Sequence, residues 1–178
     1  MGIINDLKSL ESESLARGIP IIGCEKAEWL LSKIEELRPE QVLELGTANG
    51  YSGLVLGSLG ANLLTVELDK KIASEAVQNF KNFNIDAKVV VADGVAVVCD
   101  LVDKNQLFDL IFVDFAKKKY VNVFNSCLKL LRVGGFLIAD NINFLGCKDF
   151  KNLVVSSKFL DTQLIDIKDG LSFSKKKM

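Results

Sequence analysis

Short apolar runs and amphipathic stretches alternate along most of this chain. The runs predict strands at Gln41–Leu45, Asn62–Glu67, Lys88–Ala92, Phe108–Val113 and Phe136–Asp140. Between them, apolar residues recur at helical spacing over Tyr51–Ser58, Lys70–Asn82, Gly94–Val102 and Tyr120–Leu131. Leu110-Ile111-Phe112-Val113 and Phe136-Leu137-Ile138-Ala139 are apolar on both faces, as strands of a helix-covered parallel sheet must be. The alternation predicts an α/β fold: a doubly wound, mostly parallel seven-stranded sheet with helices on both faces. The chain closes differently, because Phe159–Ile167, a turn at Asp169-Gly170, and Leu171–Lys175 read as a C-terminal antiparallel β-hairpin.

Ahead of the sheet, Ile3–Leu15 predicts one short helix and Gly18–Gly23 a loop. Glu25–Leu37 predicts a longer helix, with Ala27, Leu30, Leu31, Ile34 and Leu37 on one face and Pro39 as its stop. No repeat or linker interrupts the pattern. The expectation is one domain over residues 1–178, with a helical region at 1–38 and an α/β core at 39–178.

Composition narrows the chemistry. Apolar residues make up 49% of the 178 and charged ones 25%, as in soluble globular proteins. No apolar run approaches the ~20 residues of a membrane span. The N-terminus lacks a basic start followed by an apolar core, so no signal peptide and a cytoplasmic location are expected. Cys24, Cys99, Cys127 and Cys147 form no C-x-x-C pair and read as reduced thiols. The chain has no histidine, which excludes His-based metal sites and Ser-His-Asp or Cys-His catalysis within it. Net charge is −1, so nothing global points to nucleic acid, although Lys117-Lys118-Lys119 and Lys175-Lys176-Lys177 are local basic clusters.

The candidate chemistry lies at the strand ends. Val42-Leu43-Glu44-Leu45-Gly46-Thr47-Ala48-Asn49-Gly50-Tyr51-Ser52 reads as a buried strand, a glycine-bounded turn and a helix start, and Glu67 ends the next strand. A strand-to-helix turn presents backbone N–H groups to a ligand, and an acid about 20 residues on can bind ribose hydroxyls, so this is a nucleoside pocket. Each predicted parallel strand delivers an acid to one rim: Glu44, Glu67, Asp93, Asp114, and Asp140 with Asn141. Singly, such residues are ordinary turn formers and helix caps. Five in register, at the rim where open α/β sheets bind ligands, favour function. Gly46 and Gly50 would let the turn approach a cofactor, Glu67 would accept from ribose hydroxyls, and Asp93 from an adenine amino group. Asp114, Asp140 and Asn141 offer hard oxygen ligands suited to Mg²⁺ or Ca²⁺. Lys117, three residues past Asp114, could take a proton from a hydroxyl near such a cation, or could belong with Lys118 and Lys119 to a solvated helix start.

These residues resemble the class I S-adenosylmethionine-dependent, divalent-metal-dependent O-methyltransferases of the catechol and caffeoyl-CoA type. The resemblance runs from about Ile19 to Lys175. It is carried by Leu43–Ser52, by Phe108–Asp114 with Lys117 and Tyr120, by Arg132–Asn141, and by Asp169-Gly170-Leu171. It implies that Asp114, Asp140 and Asn141 bind Mg²⁺ (or Ca²⁺ or Mn²⁺), and that Lys117 is the general base, with Asp114 beside it in the catalytic set. Glu44, Gly46, Gly50, Ser52, Glu67 and Asp93 would surround the cofactor, Ser52 near its amino-acid end, with Ile22 covering it. The reaction implied is in-line transfer of the sulfonium methyl to a hydroxyl oxygen of a small catechol-like or phenolic acceptor. Relatives are often homodimers. The chain departs from the family at Ala116, where an acid is common, and in the short segment Ile142–Cys147 after the second metal motif.

Three other readings compete. Some relatives methylate a hydroxylated uridine in transfer RNA, and the lysine clusters fit that less favoured acceptor. A glycine turn plus a strand-two acid also serves NAD-binding oxidoreductases, but Gly46-x-x-x-Gly50 is not their G-x-G-x-x-G turn. A non-catalytic cofactor-binding protein would keep the fold without the chemistry.

Overall fold

The computed structural model describes residues 2–178. Seven strands form one sheet in the order β3-β2-β1-β4-β5-β7-β6. β1 (Gln41–Leu45), β2 (Asn62–Glu67), β3 (Ala87–Val91), β4 (Phe108–Val113) and β5 (Leu131–Asp140) pair in parallel. β6 (Leu160–Ile165) and β7 (Leu171–Lys176) form the closing hairpin, whose second strand pairs antiparallel with β5. The mostly parallel, doubly wound architecture and the terminal hairpin are as expected.

Strand alternation divides the core into two layers. Val42, Leu110, Phe112 and Ile138 face α3 (Cys24–Leu37), α4 (Tyr51–Gly57) and α5 (Lys70–Asn82), through Leu30, Ile34, Leu54 and Phe80. Leu43, Leu45, Ile111, Val113 and Leu137 face α6 (Gly94–Asp103), α7 (Tyr120–Leu130) and α8 (Lys148–Ser156), through Val98, Val123, Phe124 and Phe150. With both faces covered, the C-terminal rim of the parallel strands is where loops and side chains can form a site.

The structure corrects three expectations. Ile3–Leu15 is not one helix: α1 (Ile3–Asp6) and α2 (Lys8–Ala16) meet at Leu7, which is fully buried against the α3 layer. β5 begins at Leu131 rather than Phe136, because the Gly134-Gly135 pair does not end the strand but is absorbed as an irregularity opposite Phe108 and Leu110. The segment after Asn141 is more than a loop. One 3₁₀ turn at Leu145–Cys147 leads into α8, where Phe150, Leu153 and Val154 repeat at helical spacing and bury Phe150 and Val154. No helix among the described residues is long and apolar enough to cross a membrane.

Candidate active site

Two cavities open at that rim and share Pro20, Ile21, Asp114 and Lys117. The first, of about 310 Å³, is lined by the turn after β1 (Gly46, Thr47, Ala48), by Tyr51 and Ser52 of α4, and by Glu67, Asp93 and Phe115. Its size is at the small end for a cofactor pocket. The second, of about 390 Å³, is lined by Ile22, Lys26, Asp140, Asn141, Phe144 and Asp169 among others.

The first cavity is shaped by backbone. Gly46 has φ +101°, and a Cβ there would lie 2.0 Å from the Asp114 carbonyl oxygen, so the ends of β1 and β4 can converge only at glycine. Gly50 has φ +95° and starts α4, but it packs against Ala76 and Phe80 instead of lining the cavity. Glu67 holds the turn: Oε2 accepts from the Ala48 amide (2.9 Å), and Oε1 accepts from those of Leu68 (2.8 Å) and Asp69 (3.0 Å). A carboxylate has about four acceptor sites, so Oε2 keeps one for a ligand. Asp93 caps α6 through the Val95 amide (2.8 Å) and pairs with Lys119 (2.5 Å). The Lys119 hydrogen bond, helped by that amide, holds the Asp93 carboxyl below its usual range. The capping role and a place on the cavity wall therefore coexist.

Glu44 lies beneath the cavity, not in it. It is fully buried in β1 and accepts from Ser52 Oγ (2.6 Å) and Thr65 Oγ1 (2.5 Å), and Thr65 Oγ1 in turn meets Thr47 Oγ1 (2.5 Å). Burial pushes its pKa up to about 8; the two hydroxyls oppose the shift, and the charges of Asp114 and Glu67 add to it. The raised pKa favours the protonated form, whose proton would be shared with one of these hydroxyls, and Glu44 orients Ser52 and, through Thr65, Thr47, both of which line the cavity.

The second cavity is shaped by charge. Lys117 pairs with Asp114 through Oδ1. Lys26 pairs with Oδ1 of both Asp140 and Asp169. The Asn141 side chain donates Nδ2 to Asp169 Oδ2, and its backbone N–H donates to Asp140 Oδ1 (2.7 Å). Burial and the nearby Asp114 charge raise the Asp140 pKa against the pull of Lys26, while Asp169, despite its own burial, is held low by Lys26.

A divalent cation can be tested against these residues. Among the described residues no group of three or more His, Cys, Asp or Glu side chains is placed to hold a metal. The candidate set is instead two carboxylates and an amide, all lining the second cavity. Within the described residues Asp140 Oδ2 and Asn141 Oδ1 accept no hydrogen bond, because each partner named above engages the other end of its group. The Asp114 carboxylate, paired with Lys117 through Oδ1, also lies beside the buried Tyr120 hydroxyl and adds to the burial that raises its pKa. Hard oxygens on three residues of one cavity fit a cation such as Mg²⁺.

Every site residue named from sequence is on this rim except Glu44, one layer below, and Gly50, which packs α4 on α5. Ile22 lines the second cavity and not the first. Sequence reasoning missed Lys26. The signal was a charged residue on the apolar stripe of α3, in line with Leu30 and Ile34. It also left Lys119 among solvated lysines, although Lys119 reaches Asp93 across the first cavity. Three of the six lysines in the two basic clusters are committed within the fold. Lys117 and Lys119 are in ion pairs, and Lys176 donates to the Leu128 (2.8 Å) and Leu131 (2.7 Å) carbonyls.

A family model described as O-methyltransferase matches residues 3–153. Catechol O-methyltransferase B of Danio rerio is 35% identical over 149 residues, which cover 77% of this chain and 55% of that protein. A catechol O-methyltransferase of Niastella koreensis is 30% identical over 151 residues, covering 80% and 68%. The chain thus spans between about half and two thirds of these curated relatives. The solved O-methyltransferase of Bacillus cereus in complex with SAH superposes with a TM-score of 0.86 at 21% identity, covering 98% of this chain and 90% of that one. At that identity the likeness speaks for the fold.

Proposed function

Since the chain belongs to the O-methyltransferase family, we propose that it transfers the methyl group of S-adenosylmethionine to a hydroxyl oxygen of a small catechol-like or phenolic acceptor held by a divalent cation. What supports this reading is the junction of the two cavities at Asp114 and Lys117, which offers a nucleoside side and an acceptor side meeting at an acid and an amine. When bound, S-adenosylmethionine supplies an electrophilic methyl group, and Mg²⁺ (or Ca²⁺ or Mn²⁺) supplies Lewis acidity toward the acceptor hydroxyl.

The chain's own residues bind and orient. Glu67 takes ribose hydroxyls on its remaining Oε2 site, Asp93 and Phe115 serve the adenine end, and Ser52, oriented by Glu44, serves the amino-acid end. The Asp114 carboxylate, Asp140 Oδ2 and Asn141 Oδ1 hold the cation. Lys117 stands at the junction as an ammonium paired with Asp114. As general base, its Nζ would take the proton of the acceptor hydroxyl. Pro20 and Ile21 border both cavities and limit water where the methyl must pass.

Calorimetric titration with S-adenosylmethionine and with NAD, followed by a methyl-transfer screen with Mg²⁺ against catechols, phenolic esters and hydroxyuridine RNA, tests the reading. Binding of S-adenosylmethionine and methylation of a catechol or phenol are expected. Tight binding of NAD in its place, or turnover only with RNA, would overturn it.

A further inference from the structure

Lys26 is the one buried lysine among the described residues, 2% exposed, on the face of α3 that otherwise carries Leu30 and Ile34. An ammonium in such a place is costly unless paired and hydrogen-bonded. Its partners are Asp140, at the end of β5, and Asp169, in the turn of the closing hairpin, 114 and 143 residues away along the chain. The same two regions are joined by backbone, the Ile142 amide donating to the Gly170 carbonyl (3.2 Å) and the Asn143 amide to the Asp169 carbonyl (3.0 Å).

Which oxygens are engaged gives the pairing more than a structural meaning. Asp140 meets Lys26 and the Asn141 backbone N–H with the same oxygen, Oδ1. Asp169 meets Lys26 with Oδ1 and the Asn141 side-chain amide with Oδ2. Asn141 has a left-handed backbone (φ +57°), and its amide could present either end to the cavity; donation of Nδ2 to Asp169 decides which.

Resting on the cation site of the proposed function, we infer that Lys26 is its positioning residue: one ammonium holds Asp140 directly and Asn141 through Asp169, so that Asp140 Oδ2 and Asn141 Oδ1 are the atoms left for the cation beside Asp114. Outer partners that orient ligands in this way commonly change metal affinity by about 10–100-fold when removed. A purely structural strut between α3 and the hairpin would have no such effect on a folded protein.

The test measures Mn²⁺ binding by the full chain from the loss of the free-ion electron paramagnetic resonance signal, with S-adenosylmethionine affinity measured alongside. Lys26→Met is expected to weaken Mn²⁺ binding by about tenfold or more and to leave S-adenosylmethionine affinity within about twofold. Should that variant fail to fold, Asp169→Asn carries the test. It keeps the shape of the side chain but has one acceptor for two donors, so either Lys26 or Asn141 loses its partner and the relay breaks. Asp169→Asn is expected to weaken Mn²⁺ binding, measured well below its melting temperature where the variant is fully folded. Equal or tighter Mn²⁺ binding by the folded variants overturns the inference, because Lys26 would then be indifferent to the cation or compete with it. Failure of the wild-type chain to bind Mn²⁺ while it binds S-adenosylmethionine overturns the cation site itself, and the inference with it.

Discussion

The two sides of the junction are built by opposite means. The nucleoside side is centred on one continuous segment, Gly46–Ser52, with the ends of the neighbouring strands closing round it. That turn is fixed by backbone hydrogen bonds, a left-handed glycine in contact with β4 and the Glu67 carboxylate that accepts from three backbone amides. The acceptor side is gathered from four separate places, Lys26, Asp114 with Lys117, Asp140 with Asn141, and Asp169, and is fixed by lysine–carboxylate pairs. A cofactor common to many reactions can be met by a rigid backbone cradle. An acceptor and a cation need side chains whose charges can be exchanged during the reaction. The difference teaches that substitutions should separate: changes in the charged half should alter chemistry without touching the nucleoside, and changes in the backbone half should do the reverse.

The sharpest challenge to that separation is Lys117→Met. It removes the amine at the junction and keeps most of the side chain's length. Turnover is expected to fall by about 10²–10⁴-fold, the usual worth of a positioned general base, with S-adenosylmethionine affinity within about twofold of wild type. Single-turnover kinetics and calorimetry on the same preparation check both halves. A parallel loss of cofactor affinity would mean that the sides are one unit.

Gly46→Ala attacks the point where the halves touch. A methyl group there meets the Asp114 carbonyl at 2.0 Å and forces an alanine to φ +101°, so β1 and β4 must separate. Strain and overpacking together predict a loss of about 2–4 kcal/mol in urea unfolding. Cofactor binding should weaken in the same variant, since the turn that lines the first cavity moves with it. Stability lost with cofactor affinity intact would show that this glycine serves packing alone.

The contrast between the halves also explains what could be read from the sequence. The strand–turn–helix from Val42 to Ser52 is local, so its hydrophobic run and bounding glycines announce it, and the strand-end acids follow from the two-residue period of the strands. The sheet itself was legible for the same reason. Lys26 was not, because its partners lie more than a hundred residues away and a lysine beside Ala27 scans as a helix-boundary charge. The burial of Glu44 was half legible. Its strand was evident, but the raised pKa comes from complete burial beneath α4 and beside β2, against the pull of the Ser52 and Thr65 hydroxyls, and neither packing contact is local in sequence. α8 escaped because its nine residues carry only one apolar turn, and the β-branched pair Val154-Val155 blurs the period.

A pH-dependent effect bears on the buried carboxyl itself. With its folded pKa at about 8, Glu44 keeps a proton that the unfolded chain releases near ~4.3. Between those values the folded state binds more protons than the unfolded one. The contribution of Glu44 to stability is therefore complete below the unfolded pKa and is lost as pH rises toward 8, at no more than about 1.4 kcal/mol per pH unit. Glu44→Gln removes this titration while keeping an amide that can accept from Ser52 and donate to Thr65. Urea unfolding of both proteins at intervals between about pH 5 and pH 8 should show the variant gaining on the wild type steadily as pH rises. A difference that stays flat across that range would mean that Glu44 is ionised throughout in the folded protein. The nucleoside side would then be fixed by charge as the acceptor side is, and the distinction between the two halves would fail where it is most specific.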